Sequence, residues 1–105
     1  MHSFGNYPIN SEILQHLLEY LKLYRSGNVG LSALSRELEE VRYNLYQPDE
    51  DWVEDYLKLW GVVEECNALT LDVSHLSVLP RHEDLLLATI KQLENLICRT
   101  LDKNN

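Results

Sequence analysis

Leu86, Ile90, Leu93, Ile97 and Leu101 recur at alternating spacings of four and three residues. At about 100° per residue, an α-helix gathers such positions on one side, and a strand scatters them over both. Leu85, Leu87 and Leu96 flank the stripe, Pro80 precedes it, and Glu83 and Asp84 fall in the first turn, where the helix dipole favours negative charge. Residues 81–102 therefore read as the most apolar helix of the chain, and the one to be buried deepest.

A helix with an apolar stripe must cover it, and three earlier segments supply the cover. Ile13, Leu14, Leu17, Leu18, Leu21 and Tyr24 share one face of a helix over 11–25, with Asn10 or Ser11 as N-cap and Gly27 just past its end. Leu31, Leu34, Leu38, Val41 and Leu45 form a narrower stripe on a helix over 32–46, which ends before Pro48 and packs on one side. A third helix spans 49–66, with Asp49 as N-cap and Asn67 as its stop. Gly61 weakens that segment, because a glycine inside a helix costs about 1 kcal/mol relative to alanine.

The stretch NALTLDVSHLSVLP joins the third helix to the last. Leu69, Leu71 and Val73 alternate, but a single strand has nothing to pair with. The stretch reads as an extended connection with one helical turn after Asp72. With 105 residues the chain makes one domain, 1–105, with tails at 1–9 and 103–105. The expected fold is all-α, an antiparallel four-helix bundle with an irregular segment before the last helix.

The motifs of common chemistries are missing. A di-metal bundle site needs Glu-x-x-His pairs on facing helices, and none occurs; His16 follows Glu12 at four residues, off the apolar face. Asp49, Asp51 and Asp55 begin like a calcium loop, but Glu54 stands where that loop needs glycine and Trp60 where it needs glutamate. No phosphate-binding glycine loop, zinc-protease motif or serine nucleophile motif is present. Cys66 and Cys98 lack metal-ligand spacing; one disulfide could join them, but they read more simply as reduced thiols packed like small hydrophobes. The chain is expected to be no enzyme, and to need no metal or other cofactor. MHSFGNYPIN shows no basic stretch leading into an apolar one, so no secretory signal is expected, and no apolar run is long enough to cross a membrane. These features suggest a cytoplasmic protein.

Charge is the unusual quantity. Nine basic and seventeen acidic residues give −8 at pH 7, a balance that repels nucleic acid and anionic membranes and attracts basic proteins. Residues 36–65 alone hold ten acids and three bases. On a helical wheel, QPDEDWVEDYLKLW separates into an apolar arc that includes Trp52, Tyr56, Leu57 and Trp60, and a polar arc with Asp51, Glu54, Asp55 and Lys58. On the second helix Glu39, Glu40 and Tyr43 lie opposite the leucines, with Tyr46 beside them. A wet face that keeps a small bundle soluble would account for the acids. A face of nearly one sign, however, costs stability by self-repulsion and suits the docking of a cationic partner. Glu39, Glu40, Tyr43, Tyr46, Asp51, Glu54 and Asp55 are the candidate partner-binding residues, carboxylates to pair with Lys and Arg and tyrosines to anchor.

The run YRSGNVGLSALSRELEEVRYNL, followed by an acid-rich helix with tryptophan and a leucine-rich last helix, resembles the colicin D-type immunity proteins. More broadly it is similar to the small acidic helical immunity proteins of contact-dependent growth inhibition. Leu23–Gly27, Ser32–Ala33 and Glu37–Glu40 carry the likeness. The resemblance implies a cytoplasmic inhibitor that is monomeric when free and binds one toxin domain, often a basic nuclease, with carboxylates where substrate phosphates would lie. Two other readings fit the same charge: an adaptor that mimics nucleic acid toward another basic protein, and a structural homodimer joined through its apolar arcs.

Overall fold

A computed structural model of the chain describes residues 7–72 and 80–102, with side chains described for 7–68 and 83–101. Four helices account for nearly all of it: α1 (Pro8–Arg25), α2 (Leu31–Asn44), α3 (Glu50–Asp72) and α4 (Pro80–Asp102). α1 packs on α2 and α4, and α3 packs on the same two, while the diagonal pairs do not meet among the described residues. The expected all-α four-helix bundle is what forms. The residues 73–79, where a helical turn was expected, lie outside the described set, as do 1–6 and 103–105.

The helix ends depart from expectation for identifiable reasons. α1 begins at Pro8 and not Ser11, because proline at the first helical position loses no hydrogen bond and has its φ preset. The expected tail of 1–9 is therefore shorter, and Asn10 is a buried residue of the first turn and no cap. Asn28 N–H reaches Leu23 O at 2.9 Å and Gly27 N–H reaches Tyr24 O at 3.0 Å, a Schellman stop for which Gly27 supplies φ +82°.

α2 stops at Asn44, short of the expected Tyr46. Leu45 turns extended, and Gln47 enters the left-handed region at φ 45°, just before Pro48. Leu45 nevertheless stays buried, so the link is drawn across the core. α3 runs six residues beyond the expected stop, which corrects the reading of 67–72 as extended. Asn67 does not end the helix. Its Oδ1 accepts from Ser32 Oγ at 2.8 Å, tying α3 to α2 and leaving the helix to continue past it. Gly61 does not interrupt α3 either.

The core is built from the expected stripes. Leu14, Leu17 and Leu21 of α1 meet Leu34, Leu38 and Val41 of α2, Tyr56 and Val63 of α3, and Leu86, Ile90, Leu93 and Ile97 of α4, all buried. Trp52 is buried and stacked on Tyr56 with centroids 4.9 Å apart, while Trp60 is half-buried against the same cluster. Side-chain hydrogen bonds join α2 to α3. Tyr56 Oη donates to Leu38 O at 2.7 Å, Trp60 Nε1 to Ser35 O at 3.2 Å, Ser35 Oγ to Glu64 Oε1 at 2.6 Å, and Ser32 Oγ to Asn67. Arg25 Nη1 reaches Glu94 Oε1 at 2.9 Å between α1 and α4. Among the described residues, no helix is long and apolar enough to cross a membrane.

Candidate docking face

Because α2 and α3 are neighbours in the bundle, their charges share one side of the molecule. α2 carries three acids and two bases, and α3 seven acids and one base. Across the bundle, α1 is balanced at two and two, and α4 holds four acids and three bases. Four separate sequence segments thus become one acidic flank and one nearly neutral flank.

The contacts with neighbouring helices orient each wheel. On α2, Ser35 points toward α3, and Glu37 and Asn44 toward α1. Glu39 and Tyr43 therefore face outward, and Tyr43 is 75% exposed. Glu40 turns toward α1, lining a cleft of about 270 Å³ with Glu12, His16 and Glu37. His16 Nε2 lies 3.6 Å from Glu37 Oε1 at the rim of that cleft, on the exposed side of α1.

On α3, Trp60 and Glu64 point to α2, and Leu59 points to α4. Glu54 faces outward and is exposed. Asp51 and Asp55 turn to the α4 side, and Asp55 lines an open groove of about 800 Å³ with Lys58, Leu59, Gln92, Asn95, Leu96, Cys98 and Arg99. Tyr46 sits in the α2–α3 link, half exposed, with its ring edge-on to Tyr7 at 5.0 Å and its backbone held by Asn10.

The seven nominated residues are all exposed, but they do not form a single patch. Glu39, Tyr43 and Glu54 share the outer face of α2 and α3, and Tyr46 marks its end at the link. Glu40, Asp51 and Asp55 wrap around the two sides. Among the described residues the ion pairs are Arg25–Glu94 and His16–Glu37, so none of the seven meets a described cation at ion-pair distance. Lys58, the expected counter-charge, is drawn into the α3–α4 groove with Asp55. Arg36 is exposed on α2, one turn before Glu39 and Glu40.

Leu57 departs from the rest of the apolar arc: it is 39% exposed on the outer line of α3, in keeping with a wheel position at the edge of that arc, between Glu50 and Glu64. Cys98 also differs from expectation: Cys66 is buried, but Cys98 is exposed in the α3–α4 groove, and no disulfide joins the two. No group of three or more His, Cys, Asp or Glu side chains that could hold a metal occurs among the described residues. Carboxylates in water can accept charged hydrogen bonds, and exposed tyrosines offer rigid, amphipathic area. Comparison of the chain with protein-family models, with curated proteins and with solved structures gives no match.

Proposed function

We propose that the protein is a non-enzymatic inhibitor of the immunity type, acting in the cytoplasm by docking its acidic α2–α3 flank on a basic toxin domain with nuclease activity. One observation carries the reading: the neighbouring helices α2 and α3 hold ten acids and three bases between them, with Glu39 and Glu54 outward and Tyr43 and Tyr46 exposed. The hydrogen bonds that stitch α2 to α3 support it, since a face fixed before encounter loses little conformational freedom on binding. Carboxylates spread over such a face occupy the positions that nucleic-acid phosphates take in a nuclease cleft. No cofactor, nucleic acid or membrane takes part, and one inhibitor binds one toxin domain.

The test is co-expression with the product of the gene immediately upstream. The wild-type chain should restore growth, and a Glu39→Lys, Glu54→Lys double variant that keeps its helical content should not. Association should also slow steeply between low and physiological ionic strength, because steering acts through long-range charge. An on-rate insensitive to salt, or full protection by the double variant, would reject the reading. A homodimer through α4 is the second reading, favoured by the exposure of Leu85 and Leu87; elution as a monomer at micromolar concentration would dismiss it.

A further inference from the structure

Gly61 lies in the middle of the 23-residue α3, where glycine weakens a helix relative to alanine. Nothing inside the fold asks for it. Its φ is outside the left-handed region, it is exposed, and a Cβ placed there would meet nothing within 4 Å. Gly27 is required by its turn; at Gly61 the missing side chain leaves helix backbone open from outside.

That opening stands one turn beyond exposed Leu57, on the same outer line of α3, with exposed Ala68 two turns further on. A leucine beside uncovered backbone makes a shallow apolar notch. Glu54 and Glu65 border it, both exposed and neither in an ion pair among the described residues. Glu64, next to it, is turned away toward Ser35 of α2. The notch is therefore apolar along its floor and anionic along its edge.

Charge decides the occupant. A second copy would bring α3 against α3, seven acids and one base on each side, a like-charge juxtaposition that opposes docking. An amphipathic helix with lysine or arginine beside its apolar stripe fits both the floor and the edge, in the helix-in-groove mode whose apolar anchors enter the partner's surface. We propose that the Leu57–Gly61 notch seats a large apolar side chain from a basic amphipathic helix of the partner protein, whose cations pair with Glu54 and Glu65. The proposal rests on the acidic-docking reading of α2 and α3 and narrows it to one place and one kind of contact.

The experiment titrates the ¹⁵N-labelled full chain with a synthetic leucine–lysine amphipathic helix about 18 residues long, or five turns. A lysine–glycine peptide of equal length and charge serves as the comparison. With the amphipathic helix, amide shifts should concentrate between Glu54 and Ala68. Gly61→Gln should weaken that peptide about tenfold while raising the melting temperature, and should leave the lysine–glycine peptide within about twofold of wild type. Leu57→Ala should weaken the same peptide without unfolding the chain. If both peptides bind and Gly61→Gln changes neither, the notch is wrong and the acidic face survives. If neither binds at low ionic strength, the acidic-docking reading fails and the notch fails with it. A dimer of the chain alone that Gly61→Gln dissociates would also overturn the proposal, by making the second copy the occupant.

Discussion

The side-chain amide of Asn10 grips the main chain of Tyr46 from both ends: Nδ2 donates to Tyr46 O at 2.8 Å, and Oδ1 accepts from Tyr46 N–H at 2.7 Å. The first turn of α1 thereby fixes the link between α2 and α3, thirty-six residues away. Asn10 is buried, so its amide has no water to fall back on. The pair also sets where Tyr46 stands at the end of the acidic flank. Asn10→Ala should cost about 2–3 kcal/mol, the loss of two bonds and the stranding of two main-chain groups. Urea denaturation measures this as a lowered midpoint, and amide exchange at Tyr46 should quicken in the same variant. An unchanged midpoint would show that water replaces the amide.

Tyr56 Oη donates to Leu38 O at 2.7 Å from a fully buried ring. Tyr56→Phe keeps the ring and strands the carbonyl's second acceptor site, so the expected loss is about 1–2 kcal/mol. A chemical denaturation curve of the two proteins with matching slopes reads this directly.

The same hydroxyl sets an alkaline limit. Burial first, and then the charge of Glu37, push the Tyr56 pKa well above the ordinary 10.0, against a smaller opposing effect of Arg42. The folded state thus holds this proton more tightly than the unfolded chain. Its contribution is whole below pH 10.0 and is lost as the pH rises beyond that value. Tyr24 shifts the same way, chiefly by burial and further by Cys66 and Glu83, and burial followed by Glu65 raises the Cys66 thiol from 9.0. Melting temperature should fall from about pH 9 upward, and Tyr56→Phe should flatten the part above pH 10. Equal slopes for the two proteins across that range would contradict this.

Gln47 occupies the left-handed region at φ 45° with no glycine to relieve it. Gln47→Gly removes that penalty but frees the unfolded chain, so the net gain should be about 0.5–1 kcal/mol. Calorimetry should show a rise in melting temperature of several degrees. A fall would mean that the glutamine side chain holds the link.

The Arg25–Glu94 pair is the counter-example. Both oxygens lie within 3.1 Å of Nη1, yet the arginine is half exposed. A double-mutant cycle with Arg25→Gln and Glu94→Gln should give a coupling below about 1 kcal/mol, weakening further with salt. A larger value would make this pair a structural clasp between α1 and α4.

The sequence by itself determined the four helices, their apolar stripes and the identity of most core residues, because 3.6-residue periodicity is a local property that burial then obeys. It also determined that the charge lies on the second and third helices. It misplaced the ends. Asn10, Asn67 and Leu45 look like caps, stops or helix interior until a partner far along the chain claims them: Tyr46 takes the amide of Asn10, Ser32 bonds Asn67, and the core holds Leu45. Only the tertiary structure decided which acids look the same way. A wheel gives the angle between residues of one helix but not the direction of the next helix, so Glu39 and Glu54 could be joined, and Glu40 and Asp55 sent to opposite sides, only once α2 lay between α1 and α3. The exposure of Leu57 and the open space at Gly61 were settled by the same packing, since a side chain is covered or bare according to what its neighbours leave uncovered.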